Sequence, residues 1–259
     1  MQRCPSEFVD LATRLVDAAR PIVKQYFRTP IDVIRKGDES PVTIADREAE
    51  RVMREILDAD VPDHGINGEE WGLKNPDAEW CWHLDPIDGT KSFISGSLGF
   101  GTLVGLTYRG EPMLGVIDQA ITDERWFGTK GQGTTLNNVA ATTRKCEDIA
   151  EAHLYTSGLG YLINEKEAPF MALRRACGNT RYSHDCYAAG LLASGFVDLL
   201  VEVNLSSHDI AALAPVITEA GGVITDWRGD ALSYGGGIDT VLASGDPNLH
   251  AKALEILEF

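Results

Sequence analysis

The stretch CWHLDPIDGTKSF, Cys81 to Phe93, sets two aspartates three residues apart around a proline, where an apolar run meets Gly-Thr. Asp, Pro and Gly all favour chain reversal, so a turn alone would account for them. The residues before them read as a buried strand, however. Two carboxylates at the end of such a strand are costly unless something positive meets them. The rest of the chain has to supply it.

Outward from this turn the sequence reads as sheet. EWCWHL enters the turn, FGTLVGLTY and PMLGVIDQAI form a hairpin joined through RGE, and ERWFGTK makes the next strand, turned by GQG. Short strands punctuated by glycine suit antiparallel neighbours. No G-x-G-x-x-G opens a helix after a strand, which removes a dinucleotide-binding unit from consideration. Towards the N-terminus, Phe8, Leu11, Leu15, Val16, Ala19, Val23 and Phe27 recur near the helical period, with Pro21 expected to break or bend the segment. After the loop RKGDESP a second helix is expected from about Thr43 to Asp58, with Asp46 in its first turns, where negative charge is favoured.

Towards the C-terminus, EAHLYTS, VDLLVEV, GVITDW and TVLASG read as strands, and NEKEAPFMALRRA, CYAAGLLASG and DIAALAPVITEAG as helices, the last stopped by Gly221 and Gly222 despite Pro215. Asp246 and Pro247 supply the N-cap and first position of a closing helix through Ile256. Composition stays even throughout, so two subdomains, residues 1–140 and 141–259, are expected to pack tightly.

A chain of 259 residues can bury its own core without staples. No apolar run reaches the roughly 18 residues of a membrane span, and MQRCPSEF has no secretory character, so a cytoplasmic location is the default. Five scattered cysteines without a C-x-x-C suit reduced, structural thiols. With 39 acidic against 23 basic residues the net charge is −16, which argues against a nucleic-acid surface. It also suits a phosphorylated ligand poorly, unless metal ions reverse the sign locally.

Acidic groups stand where elements meet: Asp46, Glu69 with Glu70 in INGEEWG, Asp85 with Asp88, and Asp209. Singly, each has an ordinary explanation as a first-turn helix acid, a solvated loop, a turn or a helix cap. Together, oxygen ligands from separate elements are what Mg²⁺ sites use. Two such ions can stabilise the attacking and leaving oxygens of an in-line displacement. Gly89 and Thr90 then acquire a use, since backbone N–H groups at a turn or helix start cradle phosphate.

GEEWG at Gly68 to Gly72, DPIDGTKSF at Asp85 to Phe93 and SHDIAALAPVITEAGG at Ser207 to Gly222 together resemble the inositol monophosphatase family of Mg²⁺-dependent, lithium-sensitive phosphatases. VTIADREAE adds Asp46, with Lys36 upstream. The resemblance implies an α/β fold, the layered α-β-α-β-α sandwich of the inositol monophosphatase/fructose-1,6-bisphosphatase type, usually a homodimer. It assigns Glu69, Asp85 and the Ile87 carbonyl to one Mg²⁺ and Asp85, Asp88 and Asp209 to a second, with Glu69 sharing a third, weaker ion. Thr90 and Asp46 would orient the water that attacks phosphorus, while the Gly89 and Thr90 amides contact phosphate. On this reading the first subdomain carries most metal ligands, and the second supplies Asp209 and the substrate-side wall. His208 departs from the pattern, since many relatives carry an aromatic there, and is expected to alter the pocket wall rather than remove the metal.

The stretch Gly115 to Asn138, with IDQ and ERWFG, and the stretch HDCYAAG, His184 to Gly190, look closer to the histidinol-phosphatase branch. Asp185 and Glu202 would pair with the ammonium and imidazole of histidinol phosphate, with no basic side chain expected beside them. They could equally accept hydroxyls from inositol-1-phosphate. The ordinary reading of Asp185 is a helix cap, and that of Glu202 an edge-strand acid. A small phosphorylated metabolite is therefore the expected substrate, and neither nucleic acid nor membrane a partner. A binding module for Mg²⁺ and a phosphorylated ligand, without turnover, is the non-enzymatic alternative. The six histidines are too scattered in sequence for a His-x-His cluster, and no G-x-S-x-G elbow exists.

Overall fold

The chain is described by a computed structural model over residues 3–30, 33–35 and 41–257, so Lys36 lies outside the described residues. In chain order the elements are α1 (Ser6–Tyr26), β1 (Val33–Arg35), β2 (Pro41–Thr43), α2 (Ile44–Asp60), β3 (Gly65–Gly68), β4 (Gly72–Lys74), β5 (Trp80–Asp88), α3 (Thr90–Ile94), β6 (Gly101–Tyr108), β7 (Glu111–Gln119), β8 (Glu124–Thr129), β9 (Gly133–Leu136) and β10 (Val139–Ala141). Then follow β11 (His153–Thr156), α4 (Glu167–Ala176), β12 (Asn179–Tyr182), α5 (Asp185–Ala193), β13 (Leu199–Leu205), α6 (Ser207–Glu219), β14 (Val223–Thr225), β15 (Ile238–Ser244) and α7 (Pro247–Leu257).

Beside the β1–β2 pair there are two large sheets, of eight strands in the order β10-β9-β8-β7-β6-β5-β3-β4 and of five in the order β12-β11-β13-β15-β14. Alternation decides which faces they bury. On β6, Val104 and Leu106 join Leu15, Val16, Met53 and Trp82 beneath α1 and α2. Its neighbour Leu103 points the other way, with Ile117 and Trp126, against Leu192 of α5 and Ile210 and Val216 of α6. The second sheet closes that same core through Leu200, Val201's neighbour, and Val241. On its far face Leu199, Val201 and Leu242 pack with Phe170 and Leu173 of α4 and Leu249 and Ala253 of α7. The result is the expected α-β-α-β-α layering.

Helix α6 lies unusually close to the first sheet. Gly105 on β6 pairs with Gly115 on β7, which pairs with Gly128 on β8, forming a glycine row across three strands. A Cβ at Gly115 would sit 1.9 Å from the Ala212 carbonyl oxygen, one at Gly105 2.7 Å from Ala211, and one at Gly128 2.5 Å from the Pro215 carbonyl oxygen. Only hydrogen fits between helix backbone and sheet.

Pro21 does not break α1. It lies on the exposed side of the penultimate turn, while Ala19 and Val23 keep the buried stripe continuous and Arg20 and Lys24 tie those turns to Asp118 and Asp123. Among the described residues the short strands β1, β2, β3, β4, β10 and β12 were not expected. Nor were the parallel pairings of β3 with β5 and of β11 with both β12 and β13. Gly-Ile-Asn-Gly in β3 has almost no strand propensity of its own, and pairing with the nine-residue β5 is what extends it. No helix among the described residues is long and apolar enough to cross a membrane.

Candidate active site

The aspartate pair at the end of β5 is explained by a bulge. Asp85 pairs with Leu103 but Asp88 pairs with Gly101, so three steps on β5 match two on β6. In a regular strand residues three apart face opposite sides, and one extra residue restores them to the same side. Both carboxylates therefore face the layer of α5 and α6. Pro86 sits inside the bulge, where a missing N–H is tolerated, and its carbonyl accepts from Thr102 Oγ1 at 2.7 Å. Gly89 then ends the strand at φ +82°, and α3 begins at Thr90, whose hydroxyl donates to the Ile87 carbonyl at 3.2 Å.

Helix α6 enters this face with Asp209 at its third position, in a capping box with Ser206. The donor atoms of Asp85, Asp88 and Asp209 all lie within 4.8 Å of one another, and so do those of Glu69, Asp85 and His208. Each aspartate is aimed by a backbone N–H on one oxygen: Asp85 by Ile87 at 3.0 Å, Asp88 by Cys186 at 2.7 Å and Asp209 by Ser206 at 2.8 Å. Asp46 is held likewise by Thr43 N at 2.8 Å in the capping box of α2. Its other oxygen is buried without a hydrogen-bond partner.

Glu69 follows directly from the end of β3, its N–H donating to the Leu84 carbonyl at 3.1 Å. The turn after it hangs on Glu50, a fully buried acid of α2 that accepts from Glu70 N at 2.7 Å and Trp71 N at 3.2 Å while paired to Arg54 Nε at 2.7 Å. Residues 69 and 70 are thus positioned rather than solvated. Glu50 was missed in the sequence, although an acid between Ala49 and Met53 on an apolar helix face, four residues before Arg54, was the available signal.

Burial pushes Asp85 and Asp88 well above the usual carboxylate range, and neighbouring acids add to it: Glu69, Asp88 and Asp209 on Asp85, Asp209 and Asp185 on Asp88. Asp209 is raised by burial, against the pull of His208 and the Ser206 N–H. Burial takes Asp46 to about 7, despite its bonds to Thr43, with Glu70 and Glu69 contributing. Converging carboxylates in this state, beside an orphaned oxygen, fit divalent cations as their missing counter-charge.

A pH dependence follows. Each of these carboxyls has a folded pKa above its unfolded value of about 4. Such a group costs increasing stability as pH climbs from the unfolded value to the folded one, which for Asp46 is about 7. In chelator, the protein should melt roughly 5 °C or more higher at pH 5.5 than at pH 8. Excess Mg²⁺ should raise the pH 8 melting temperature most. Equal melting at both pH values in chelator would contradict this electrostatic picture.

Asp185 and Glu202 lie beside this cluster. Glu202 is not on an edge: β13 runs between β11 and β15, and the side chain is buried, accepting from Ser157 N at 2.7 Å and Ser157 Oγ at 2.9 Å. Burial raises it well above the usual range, with Asp185 and Asp88 adding. Asp185 opens α5 at φ +38°, yet caps nothing. It accepts instead from Ser92 Oγ at 2.7 Å, and a Cβ on Gly89 would stand 2.7 Å from its Oδ2. Burial raises Asp185, opposed by its hydrogen bonds from Ser92 and Ser157 and, less, by His184 and Lys91, so contrary to expectation a basic group is near: Lys91, which stacks over the Tyr161 ring at 4.6 Å.

The segment IDQ with ERWFG builds a brace. Asp118 accepts from Arg20 Nη2 at 2.7 Å and Arg125 Nε at 2.6 Å, while Gln119 donates to the Leu98 and Phe100 carbonyls. His83 is structural as expected, buried and 3.1 Å from Thr107 Oγ1. Ser157 and Ser92 complete the set that sequence reasoning passed over, and His208, expected in the pocket wall, comes within reach of Glu69 and Asp85. Their elements meet only in the folded chain.

A model of the inositol monophosphatase family matches residues 5–259. The Arabidopsis thaliana protein named bifunctional phosphatase IMPL2, chloroplastic, is 44% identical over 260 residues, 97% of this chain and 75% of that one. The histidinol-phosphatase of Chlorobaculum parvum is 34% identical over 223 residues, covering 85% of this chain and 86% of its own. A solved inositol monophosphatase from Zymomonas mobilis superposes with a TM-score of 0.90 at 42% identity, over 98% of each chain.

Proposed function

The chain belongs to the inositol monophosphatase family, and from that premise we propose that it hydrolyses L-histidinol phosphate to L-histidinol and phosphate. Membership makes it a metal-dependent phosphatase, typically using Mg²⁺. In our reading Glu69, Asp85 and the Ile87 carbonyl hold one cation and Asp85, Asp88 and Asp209 a second, with Glu69 reaching a weaker third. Bound there, the cations supply the positive charge that draws the phosphate in and stabilises its developing charge. The Gly89 and Thr90 amides, at the start of α3, face the phosphate. Thr90 and the unpartnered oxygen of Asp46 would orient the attacking water, and the Asp46 carboxylate would take up its proton.

The observation that carries the substrate assignment is the acidic wall. Asp185 raises both Asp88 and Glu202, and Asp88 adds to Glu202. Ser157 and Ser92 hold them in place. A substrate with a cationic aminoalkyl-imidazole meets two fixed acids there, each charge-assisted contact worth about 1.5–3 kcal/mol. Histidinol phosphate should therefore exceed inositol-1-phosphate in kcat/KM by about ten- to a hundredfold or more. Glu202→Gln keeps size and an acceptor but loses the charge, so it should narrow the preference by about tenfold while sparing a small neutral phosphate ester. Equal or better use of inositol-1-phosphate by the unmodified protein would overturn the histidinol assignment and favour a polyol substrate.

A further inference from the structure

His208 occupies the second position of α6, and its ring stands where an oxygen-only site would have none. A ring nitrogen lies within 4.8 Å of donor oxygens on both Glu69 and Asp85, and Nε2 is 3.5 Å from Asp209 Oδ1. Apart from that contact the ring makes no hydrogen bond to the protein among the described residues, so it has a nitrogen lone pair to offer. Its direction is not accidental. On one side of it Ser207 Oγ accepts from Asn67 Nδ2 at 2.8 Å, pinning α6 to β3 just before Glu69. On the other, the Asp209 capping box and the glycine row fix the helix in rotation and depth. The side chain is only 17% exposed, which removes most of the competition from water.

We propose that His208 is a metal ligand, supplying an imidazole nitrogen to the cation held by Glu69 and Asp85. The proposal rests on the metal site of the preceding section and adds a donor to it. Carboxylate and carbonyl oxygens alone suit Mg²⁺. Imidazole strengthens binding of first-row transition ions, in the order Mn²⁺ below Co²⁺ below Ni²⁺ below Cu²⁺, while contributing little for Mg²⁺. A mixed nitrogen–oxygen site therefore discriminates: it takes Mn²⁺ or Co²⁺ in preference to Mg²⁺. The remaining acids, Asp88 and Asp209, keep the second position oxygen-only.

The test uses Mn²⁺ alone, without substrate, on the full chain. Electron spin echo modulation of bound Mn²⁺ reports directly coordinated nitrogen. The unmodified protein should show ¹⁴N modulation, and His208→Gln and His208→Phe should lose it while still binding Mn²⁺ through the carboxylates. Competition calorimetry should show the Mn²⁺ over Mg²⁺ affinity ratio falling about ten- to a hundredfold in both variants. Mn²⁺ bound with no nitrogen modulation, or modulation unchanged in both variants, would overturn the His208 assignment and leave the phosphatase reading intact. Failure of the folded, unmodified protein to bind Mn²⁺ or Mg²⁺ at all would overturn the metal site itself. Circular dichroism of each variant separates loss of a ligand from loss of fold.

Discussion

Asp85→Asn should lower kcat/KM by at least about 10³-fold while making the metal-free protein more stable. The two effects have one cause. Asp85 is shared by both groups of converging donors, with Asp88 and Asp209 on one side and Glu69 and His208 on the other. Its charge is what a bridging cation needs and what its neighbours oppose when no cation is there, since Glu69, Asp88 and Asp209 all push it upward. Asparagine has the same size, and its carbonyl can still accept the Ile87 N–H that aims Asp85 Oδ1 at 3.0 Å. Local geometry therefore survives while one negative charge goes. Melting in chelator should shift upward, and the further shift produced by saturating Mg²⁺ should shrink, because that increment grows with ligand concentration over Kd. Near-normal turnover at ordinary Mg²⁺ would remove Asp85 from the metal site.

Thr90→Ala should cut kcat by about 10²-fold or more with KM and metal stoichiometry nearly unchanged. The hydroxyl sits at the first position of α3, donating to the Ile87 carbonyl at 3.2 Å, one residue from the positive-φ turn at Gly89. It contributes no charge to the cation sites. What it offers is a fixed oxygen beside the strand end, whose worth rises as the attacking water loses its proton. Thr90→Ser keeps that oxygen and should recover most of the loss. Steady-state kinetics beside a calorimetric Mg²⁺ titration separate the possibilities. Normal kcat in the alanine variant, or a lost cation site, would take this role away from Thr90.

Much of this was legible because the chemistry is local. Asp85, Asp88, Gly89 and Thr90 fall within six residues, and their turn character beside an apolar strand showed in the sequence directly. The long alternating strands and amphipathic helices were equally plain. What could not be read was whatever depends on a partner far along the chain. The bulge that turns Asp88 to the side of Asp85 exists only in register with β6. An edge-strand reading of Glu202 could not be set aside from sequence, because neither β15 nor Ser157 could be placed beside it. Lys91 looked remote from Asp185 because 94 positions separate them until α5 folds back onto α3. His208 was placed from the sequence in the pocket wall, but its closeness to Glu69 shows only once α6 packs against the end of β3.

The glycine row beneath α6 acts as a calliper. Ala211 and Ala212, which rest on Gly105 and Gly115, come two and three residues after Asp209 on the same helix. The other acids ride on the sheet and on α2. The thickness of the contact therefore sets the gap between Asp209 and the other acids, across which the proposed cations would have to fit, and hydrogen is the smallest spacer a residue can provide. A methyl at Gly115, which would meet the Ala212 carbonyl oxygen at 1.9 Å, must lift the helix start and open the jaws. If the proposed cations bind there, ionic radius, a property of the guest, is gauged by three positions that never touch it. Substitutions there would behave like active-site lesions in assays of ion selectivity without changing the identity of any proposed ligand.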